Sequence, residues 1–478
     1  RLEQAKPFRP DHLIDAARSY SGLRSVTLDG KAVKLNRKTL FQRLVLDQGY
    51  YPDGIMTAPS DAALKHDIEL SMAAGFNGAR LHQKVFEPRF LYWADRLGYL
   101  VWGEFPNWGM DYARKEACLT FVDEWTEIVN RDRNHPSIIG WCPFNETPHT
   151  ASPLQKTVYH ITRSLDPTRP VLETSGWVHS LADPQLLDAH DYNQNPTSFR
   201  TVYGTDSDLQ VPERYGVSMA RRDRPFFISE FGGIGWNLQD GWGYGSSPKT
   251  EEEFYTRYEG LTNVLLDNRG MFGFCYTQLT DVEQEQNGLY RYDRTPKFDA
   301  KRIQRITSRR ARYEEDPPLN TTPSDVEWCV LVGAAVDGDR AQTWRYQMET
   351  QPKEGWETVD YDDSSWQESK GGFGDKGGWE SRTGTTWKGK DIWLRGQFEH
   401  DGSSFDRAVF VTHYDNATEI YVNGELIWEG EGWNDAYAPF EITDTLKRAL
   451  KRGTNTIAVH CHQDTGGQFI DLAVLVTK

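Results

Sequence analysis

The chain has 478 residues, a net charge of −16, a hydrophobic fraction of 38% and an aromatic fraction of 13%. This length predicts two or three domains, and the composition is that of a folded protein with sizeable cores. The acidic balance argues against nucleic acid or an anionic membrane as a partner, because phosphates would be repelled. No run of eighteen apolar residues occurs, so we expect no membrane span.

The N-terminal residues Arg1 to Pro10 are polar and lack an apolar signal core. A mature secreted protein and a cytoplasmic protein would both begin this way; we favour a periplasmic or secreted location.

The five cysteines are odd in number and scattered, which favours neither a disulfide framework nor a metal site. His460 and His462 alternate with Cys461 and would share one face of a strand, but two ligands are too few for structural zinc. We therefore expect plain strand residues there, and no metal or cofactor.

Between residues 37 and 312 short apolar runs alternate with helical patterns, which predicts a (β/α)₈ TIM barrel of the α/β class. The predicted helices include Asp61–Ala74 after Ser60, and Thr250–Asp267 with capping-box spacing. The eight predicted strands are Phe41–Leu46, Gly78–His82, Tyr99–Glu104, Ile138–Asn145, Val171–Thr174, Leu187–Asp191, Phe226–Glu230 and Gly273–Thr277.

The regions on either side of the predicted barrel have different sequence patterns. Residues 1–36 hold one helical stretch near Asp11–Ser19 and a strand pair near Leu23–Leu35, too little for a complete domain. Residues 313–325 (YEEDPPLNTTPSD) are polar and proline-containing, which predicts a linker. Residues 326–478 alternate in short runs, with Asn423-Gly424 as a type I′ hairpin signal. This pattern predicts an all-β jelly-roll or β-sandwich domain.

Two glutamates end predicted barrel strands, where the active sites of such barrels lie. Glu146 follows the fourth strand and Glu230 ends the seventh. Both come after apolar runs, where a carboxylate is costly unless it has a function. Retaining glycoside hydrolysis needs such a pair: one acid protonates the leaving oxygen and one carboxylate attacks the anomeric carbon. We therefore predict that Glu146 and Glu230 form such a catalytic pair.

The phrases around these glutamates resemble clan A glycoside hydrolases, and within that clan glycoside hydrolase family 2, which contains β-galactosidases, β-glucuronidases and β-mannosidases. The likeness covers about Ser19 to Asp299 and includes VLDQGYYPDG (45–54), GFNGARLHQKVFEPRFLYWADRLGYLVWGEFPNWG (75–109) and TQLTDVEQEQNGLYRYDR (277–294). Ordered matches of this kind are far more specific than Asn145-Glu146 alone.

The resemblance implies roles by position, with Glu146 as the acid/base and Glu230 as the nucleophile. Asn145 would bind the sugar 2-hydroxyl, Arg80 would keep the nucleophile ionised, and Tyr192 would hydrogen-bond it. Plainer alternatives are a structural ion pair for Arg80 and packing alone for Tyr192; we favour the functional roles. Substrate-binding candidates also include His82, Trp108 and Trp236, and Trp177 and Trp242 could stack on sugars or simply pack.

The sequence departs from the family pattern in three places. Arg80 is followed by Leu81-His82-Gln83, so the usual histidine is replaced by Gln83 or displaced to His82. Thr277-Gln278 stands where many members have tryptophan. Asn287-Gly288-Leu289 lacks the lysine with which β-glucuronidases of the family bind the carboxylate of their substrate. This difference argues against a glucuronide as the substrate. For the acidic residues Asp281, Glu283 and Glu285 we expect a solvated loop in preference to a hydroxyl or ion site.

The resemblance also implies that residues 1–36 are the end of an immunoglobulin-like domain, so that the chain is an N-terminally truncated member. It further implies that residues 326–478 are a galactose-binding-like module, either sugar-binding or structural.

Two functional hypotheses follow. The first is a retaining, exo-acting glycosidase, β-galactosidase-like, with an oligo- or polysaccharide substrate. The alternative is a non-catalytic carbohydrate-binding protein with a decayed barrel. Intact Asn145, Glu146, Glu230, Arg80 and Tyr192 favour the first.

Overall fold

The computed structural model describes residues 2–3, 13–15, 19–204, 224–236, 241–315, 327–375, 383–430, 437–463 and 467–477. The N-terminal region forms the antiparallel pair β1 (Leu2–Glu3) and β2 (Leu13–Asp15), followed by a three-stranded antiparallel sheet of β3 (Val26–Asp29), β4 (Ala32–Leu35) and β5 (Lys38–Thr39). The strand pair predicted near Leu23–Leu35 is present. The predicted helix near Asp11–Ser19 is wrong over Leu13–Asp15, which is a strand; most of that segment lies outside the described residues.

A curled sheet of seven parallel strands follows. The strands are β6 (Gln42–Asp47), β7 (Gly78–Leu81), β8 (Leu100–Glu104), β9 (Ile138–Cys142), β10 (Leu187–Asp191), β11 (Phe226–Gly232) and β12 (Met271–Thr277). Their spatial order is β10-β11-β12-β6-β7-β8-β9. Because the last strand of the chain order, β12, pairs with the first, β6, the sheet closes on itself as a barrel does. The predicted TIM-barrel fold is confirmed.

The fifth predicted strand, Val171–Thr174, is not a regular strand. It touches its neighbour through isolated parallel bridges from Trp141 to Val171 and from Asn145 to Ser175. On its other side this segment is hydrogen-bonded to a side chain of β10. Gly176 N donates to Asp188 Oδ2 at 2.9 Å, and Ser175 Oγ donates to the same oxygen at 3.3 Å. At this position hydrogen bonds to the Asp188 carboxylate replace the backbone hydrogen bonds of a regular strand pair. Local strand propensity could not predict this replacement.

Helices cover the outside of the barrel. They are α1 (Asp61–Ala73), α2 (Pro88–Leu97), α3 (Lys115–Asp132), α4 (Ser152–Leu165), α5 (Pro196–Tyr203), α6 (Glu251–Asp267), α7 (Ala300–Thr307) and α8 (Arg312–Glu315). The predicted caps are present: the Ser60 and Thr250 hydroxyls each accept a bond from the backbone N–H three residues on, at 3.1 Å.

The barrel interior is filled by aromatic side chains. Trp102 is fully buried, stacks on Phe227 with ring centroids 5.6 Å apart, and donates from Nε1 to Gln42 Oε1 at 2.8 Å. A Cβ on Gly140 would lie 2.5 Å from the Trp102 ring, so only glycine lets strand β9 pass this close. The interior below the mouth is therefore a packed core.

The first three residues of the predicted linker belong to α8. Tyr313 is fully buried, and its hydroxyl accepts a bond from Val33 N at 2.8 Å. Glu314 forms a 2.7 Å ion pair with Arg43. The linker start at residue 313 is thus wrong, because these polar atoms find partners on the barrel; residues 316–325 lie outside the described residues.

The C-terminal region forms two mostly antiparallel six-stranded sheets, as expected for a β-sandwich. One has the order β17-β16-β24-β19-β22 with β13 also on β24, and the other β15-β14-β18-β23-β20-β21. Its elements are β13 (Trp328–Val332), β14 (Thr343–Met348), β15 (Gln367–Lys370), β16 (Phe373–Gly374), β17 (Thr385–Thr386), β18 (Asp391–His400), β19 (Ala408–Asp415), β20 (Ala417–Val422), β21 (Glu425–Gly430), β22 (Ala438–Glu441), α9 (Thr443–Ala449), β23 (Gly453–His462) and β24 (Phe469–Thr477).

The C-terminal region contains the predicted hairpin turn at Asn423-Gly424. Asn423 and Gly424 have φ of 53° and 86° between β20 and β21, as a type I′ turn requires. His460 and His462 share a face, since both contact Asp391 Oδ1, at 2.9 and 2.8 Å. All five cysteines of the chain are free. Within the described ranges, no helix has the length and apolar character needed to cross a bilayer.

Candidate active site

Four of the predicted site residues meet at one end of the barrel. Arg80 lies in β7, Glu230 in β11, Glu146 four residues after β9, and Tyr192 directly after β10. Because parallel strands place their carboxyl ends on the same side, these side chains converge at what we call the barrel mouth. Glu230 is 6% exposed and Glu146 16%, so Glu146 lies nearer to solvent.

Arg80 connects the polar side chains of the mouth. It is fully buried, and its Nη2 lies 2.8 Å from Glu230 Oε1 and 2.6 Å from Asn145 Oδ1. Its Nε donates to Glu104 Oε2 at 2.7 Å. A guanidinium with its fixed fork of donors holds all three partners in one arrangement.

Glu104 was not among the predicted site residues. It ends β8, lies fully inside the protein, and contacts His82 Nδ1 at 3.0 Å besides Arg80. Burial alone would raise the pKa of Glu104, but the charges of Arg80 and His82 lower it to about 2. The signal that singled out Glu146 and Glu230, a carboxylate at the end of a buried run, was also present here.

Glu230 is held as a carboxylate from two sides. The Tyr192 hydroxyl donates to its Oε2, and Tyr192 also lies 3.1 Å from Thr277 Oγ1. Tyr192 stacks on Tyr244 with ring centroids 3.5 Å apart, which fixes the direction of the hydroxyl. Burial would raise the pKa of Glu230, but the nearby His190 and Arg80 charges lower it below its usual value.

His190, in β10, lies between the two glutamates. Its Nδ1 is 2.8 Å from Glu146 Oε1, and its Nε2 is 3.5 Å from Glu230 Oε1. One side-chain atom from each of these three residues lies within 4.8 Å of the other two. Burial alone would lower the pKa of His190, but the carboxylates of Glu230 and Glu146 raise it. The sequence pointed to Tyr192 two residues on and missed this histidine.

The position of His190 is fixed by an anchoring cluster of Ser175, Asp188, Ser229, His179 and Glu173. Ser175 Oγ lies 2.8 Å from His190 Nε2 and 3.3 Å from Asp188 Oδ2, and Ser229 donates to the same Asp188 oxygen. His179 lies 3.0 Å from Asp188 Oδ1 and 3.5 Å from Glu173 Oε1. Burial would lower the pKa of His179, but these carboxylates raise it to about 10.

The backbone is unusual at two places beside His190. Glu146 has φ of 49°, in the left-handed region that costs a non-glycine residue about 1–3 kcal/mol. Gly176 has φ of 66°, and a Cβ there would lie 2.6 Å from His190 Nδ1. The chain therefore needs glycine at 176 for the imidazole to sit where it does.

Asn145 has one polar atom without a partner. Its Oδ1 accepts from Arg80, and its backbone N–H and C=O exchange hydrogen bonds with the Asn107 side chain, each at 2.8 Å. Its buried Nδ2 has no hydrogen-bond partner among the residues that the structure describes. A buried unsatisfied donor is costly, which is typical of a group waiting for a ligand.

In the described part of the chain, one group of three metal-ligating side chains is close enough to hold an ion, namely Glu146, His190 and Glu230. Arg80 already lies 2.8 Å from Glu230 and would repel a second cation. The expectation of no metal site stays a prediction.

The other predicted substrate-binding residues differ in their surroundings. His82 contacts Arg80 at 2.9 Å and packs edge-on against Trp108, with centroids 5.2 Å apart. Trp108 is 58% exposed beside the mouth. Trp236 instead packs against Phe254 and Phe298, with centroids 6.2 and 5.5 Å away. These two rings account for the packing of the partly buried Trp236.

A cavity of about 470 Å³ opens beside Glu146. It is lined by Asn107, Trp108, Met110, Tyr112, Glu146 and Thr150, among others. Most of these residues come from the loop after β8. An exposed indole and a carboxylate in one cavity suit a sugar ring or an aromatic group.

The predicted solvated acidic loop is only partly correct. Glu283 is exposed, but Asp281 is buried and paired with Lys297 Nζ at 2.5 Å. Glu285 is half-buried and accepts bonds from Gln48 and Asn287. The acidic residues of this segment therefore have three different environments, which spacing alone could not separate.

A parallel barrel that gathers two glutamates, an arginine and a tyrosine at its mouth has the architecture of a TIM-barrel glycoside hydrolase. The family model described as "Glycosyl hydrolases family 2, TIM barrel domain" matches residues 57–310, more than half of the chain. The chain belongs to glycosyl hydrolase family 2, as the sequence resemblance predicted.

Curated relatives include β-galactosidase 2 of Enterobacter cloacae, 31% identical over 308 residues, covering 60% of this chain and 29% of the relative. The β-galactosidase of Pseudoalteromonas haloplanktis is 27% identical over 313 residues, with the same coverage. The chain thus spans less than a third of the length of these relatives. Among solved structures, a β-glucuronidase from Ruminococcus gnavus in complex with D-glucuronic acid has a TM-score of 0.51 at 20% identity, over 63% of this chain and 55% of that one. This likeness concerns the fold alone.

Proposed function

We propose that the chain is the catalytic part of a retaining, exo-acting glycoside hydrolase that cleaves a terminal β-glycosidic bond of an oligo- or polysaccharide. The observation that carries the proposal is a spacing: side-chain atoms of Glu146 and Glu230 lie within 4.8 Å, with His190 in contact with both. Retaining enzymes hold their carboxyl groups about 5–5.5 Å apart, whereas inverting enzymes need about 6.5–9.5 Å for a water.

The environments of the two glutamates support different roles. Arg80 and Tyr192 keep Glu230 ionised, so its carboxylate attacks the anomeric carbon and forms a glycosyl ester. Glu146 gives its proton to the leaving oxygen, and then takes a proton from the water that cleaves the ester. The leaving group departs into the cavity beside Glu146. Asn145 Nδ2, buried without a partner, is placed to donate to the sugar 2-hydroxyl.

The sugar we propose is a β-galactoside. The curated relatives carry β-galactosidase as their name, and Asn287 is not followed by the lysine expected of a glucuronidase. The C-terminal sandwich would act as a galactose-binding-like accessory module.

The test combines turnover with covalent trapping. The chain is incubated with a panel of p-nitrophenyl β-glycosides, and separately with 2,4-dinitrophenyl 2-deoxy-2-fluoro-β-D-galactoside. We expect release of nitrophenol from the galactoside, and one mass adduct that peptide mapping places on Glu230. Glu230→Gln should fold normally, yet neither turn over nor acquire the adduct. Absence of turnover on every glycoside would reject the proposal and favour the carbohydrate-binding alternative.

A further inference from the structure

Four side chains at the barrel mouth form a closed ring of hydrogen bonds between β6 and β12. Gln48 follows β6, Gln278 follows β12, and Asn287 and Glu285 lie in the segment after β12. Gln48 Nε2 donates to Gln278 Oε1 and to Glu285 Oε2, both at 2.9 Å. Gln278 Nε2 donates to Asn287 Oδ1 at 2.9 Å, and Asn287 Nδ2 to Glu285 Oε1 at 3.3 Å.

The direction of these bonds requires a carboxylate at position 285. Three members of the ring are amides. Gln48 donates to Glu285 directly, and the chain of donors that starts at Gln48 and passes through Gln278 and Asn287 also ends on Glu285. Each oxygen of Glu285 accepts one of these bonds, so an ionised carboxylate completes the ring. A protonated acid or an amide at this position would turn an N–H or O–H group toward the N–H donor of Gln48 or Asn287. The ring therefore holds a negative charge in a fixed orientation.

The ring lies on the Glu230 side of the mouth. Gln278 directly follows Thr277, whose Oγ1 is 3.1 Å from the Tyr192 hydroxyl that donates to Glu230. The cavity beside Glu146 lies on the loop after β8. In a glycosidase the acid/base faces the leaving group and the nucleophile faces the sugar that is transferred. The ring thus borders the position of the terminal sugar.

Glu285 keeps the capacity to bind a ligand. A carboxylate has about four acceptor positions, and the two ring bonds use two of them. Glu285 is half-buried, so part of the residue remains accessible to solvent. Burial raises the pKa of Glu285 above its usual value, and the hydrogen bonds from Gln48 and Asn287 oppose that effect.

We infer that Glu285 determines the class of sugar bound, accepting hydrogen bonds from the hydroxyls of a neutral terminal sugar and repelling the carboxylate of a uronic acid. The inference rests on the proposed function and extends it, since it assigns the choice between neutral and acidic sugars to one side chain. A carboxylate accepts from hydroxyl groups without needing a proton of its own. Two carboxylates sharing a partly desolvated site repel each other.

A purely structural ring would behave differently in a binding experiment. If Glu285 only joined the segment after β12 to the barrel, its loss would weaken the binding of every sugar alike. If its charge selects the sugar, the ratio between neutral and acidic ligands must change. That ratio is the quantity to measure.

The probes are phenyl 1-thio-β-D-galactopyranoside and phenyl 1-thio-β-D-glucuronide, which resist hydrolysis, with dissociation constants measured by calorimetry. We expect the wild type to bind the galactoside and to discriminate against the glucuronide. Glu285→Gln should weaken galactoside binding about 10- to 100-fold, the usual effect of losing hydrogen bonds to a charged acceptor, without weakening glucuronide binding. Glu283→Gln, a change at the exposed neighbour, should leave both constants unchanged.

Glu285→Asp keeps the charge and should keep the discrimination, and it serves as second variant if Glu285→Gln does not fold. An unchanged ratio in Glu285→Gln, loss of discrimination in Glu285→Asp, or failure of the wild type to bind the galactoside would each overturn the inference. Turnover of the p-nitrophenyl glycosides by the wild type is scored separately. A chain that hydrolyses glycosides but shows an unchanged ratio therefore refutes this inference alone.

Discussion

His190 Nδ1 lies 2.8 Å from Glu146 Oε1, and the same imidazole reaches Glu230 Oε1 with its other nitrogen, at 3.5 Å. One buried side chain therefore touches both candidate catalytic carboxylates. Glu146 has a left-handed backbone conformation, and the contact with His190 fixes the position of its carboxyl group. His190 also contributes to the low pKa of Glu230, which links the two glutamates electrostatically.

Replacing His190 should change the pH profile of the enzyme. The acidic limb of kcat/KM reports the ionisation of the nucleophile in the free protein. Because the charge of His190 lowers the pKa of Glu230, His190→Gln should move that limb to higher pH. The measurement is kcat/KM for p-nitrophenyl β-galactoside between pH 3 and 8. His160→Gln, at an exposed position on α4, is the matched control. A limb that stays in place would mean that His190 acts through packing alone.

The ion pairs of His179 should make stability depend on pH in the alkaline range. The pKa of His179 is raised to about 10 by Asp188 and Glu173, from about 6.5 when unfolded. A raised pKa gives stability that is complete below about pH 6.5 and is lost as pH rises towards 10. His179→Gln should therefore cost about 3–5 kcal/mol at pH 6, the usual effect of breaking a buried pair, and much less near pH 10.

Urea unfolding of the wild type and His179→Gln at pH 6, 8 and 9.5 would measure this dependence. His66→Gln, at an exposed position on α1, controls for the loss of a histidine as such. A stability difference that stayed constant with pH would show that His179 is neutral in the folded protein.

The residues that could be predicted from sequence are those with a local signal. Glu230 stands at the end of a buried run, and a barrel brings such ends together whatever the details of packing. His190 and the anchoring cluster gave no such signal, because their roles depend on partners far apart in the chain, such as Ser175 with Ser229. Trp236 illustrates a different difficulty: an aromatic residue near a strand end has the same sequence signal whether it stacks on a sugar or packs against Phe298.

Glu146→Ala should separate the two steps of the reaction. A dinitrophenyl leaving group needs little protonation, so formation of the glycosyl ester should survive in part, while its hydrolysis should slow strongly. Added azide should restore turnover and yield a β-glycosyl azide, since the anion attacks without a general base and fits the space left by the carboxylate. Rates would be compared for leaving groups of different pKa. Equal loss for all of them, with no effect of azide, would remove Glu146 from the acid/base role.

The C-terminal sandwich should fold when expressed alone as residues 326–478. Its two six-stranded sheets bury their own side chains, among them Trp344, Trp387 and Phe410. Its contact with α5 through β22 would become exposed to solvent. We expect one cooperative melting transition in calorimetry. A fragment that melts without cooperativity would place the domain boundary elsewhere.

The stereochemistry of the product tests the carboxylate geometry most directly. One side-chain oxygen of Glu146 lies within 4.8 Å of one of Glu230, which is closer than the about 6.5–9.5 Å that inverting enzymes need to place a water between their carboxyl groups. In the proposed mechanism Glu230 attacks first, and water then displaces it with help from Glu146. Each displacement inverts the anomeric carbon, so the two together restore the β configuration. Proton NMR during the first minutes of hydrolysis should therefore show the β-anomer of the free sugar before mutarotation produces the α-anomer. Initial release of the α-anomer would require a water between the carboxylates, and would exclude a glycosyl ester on Glu230.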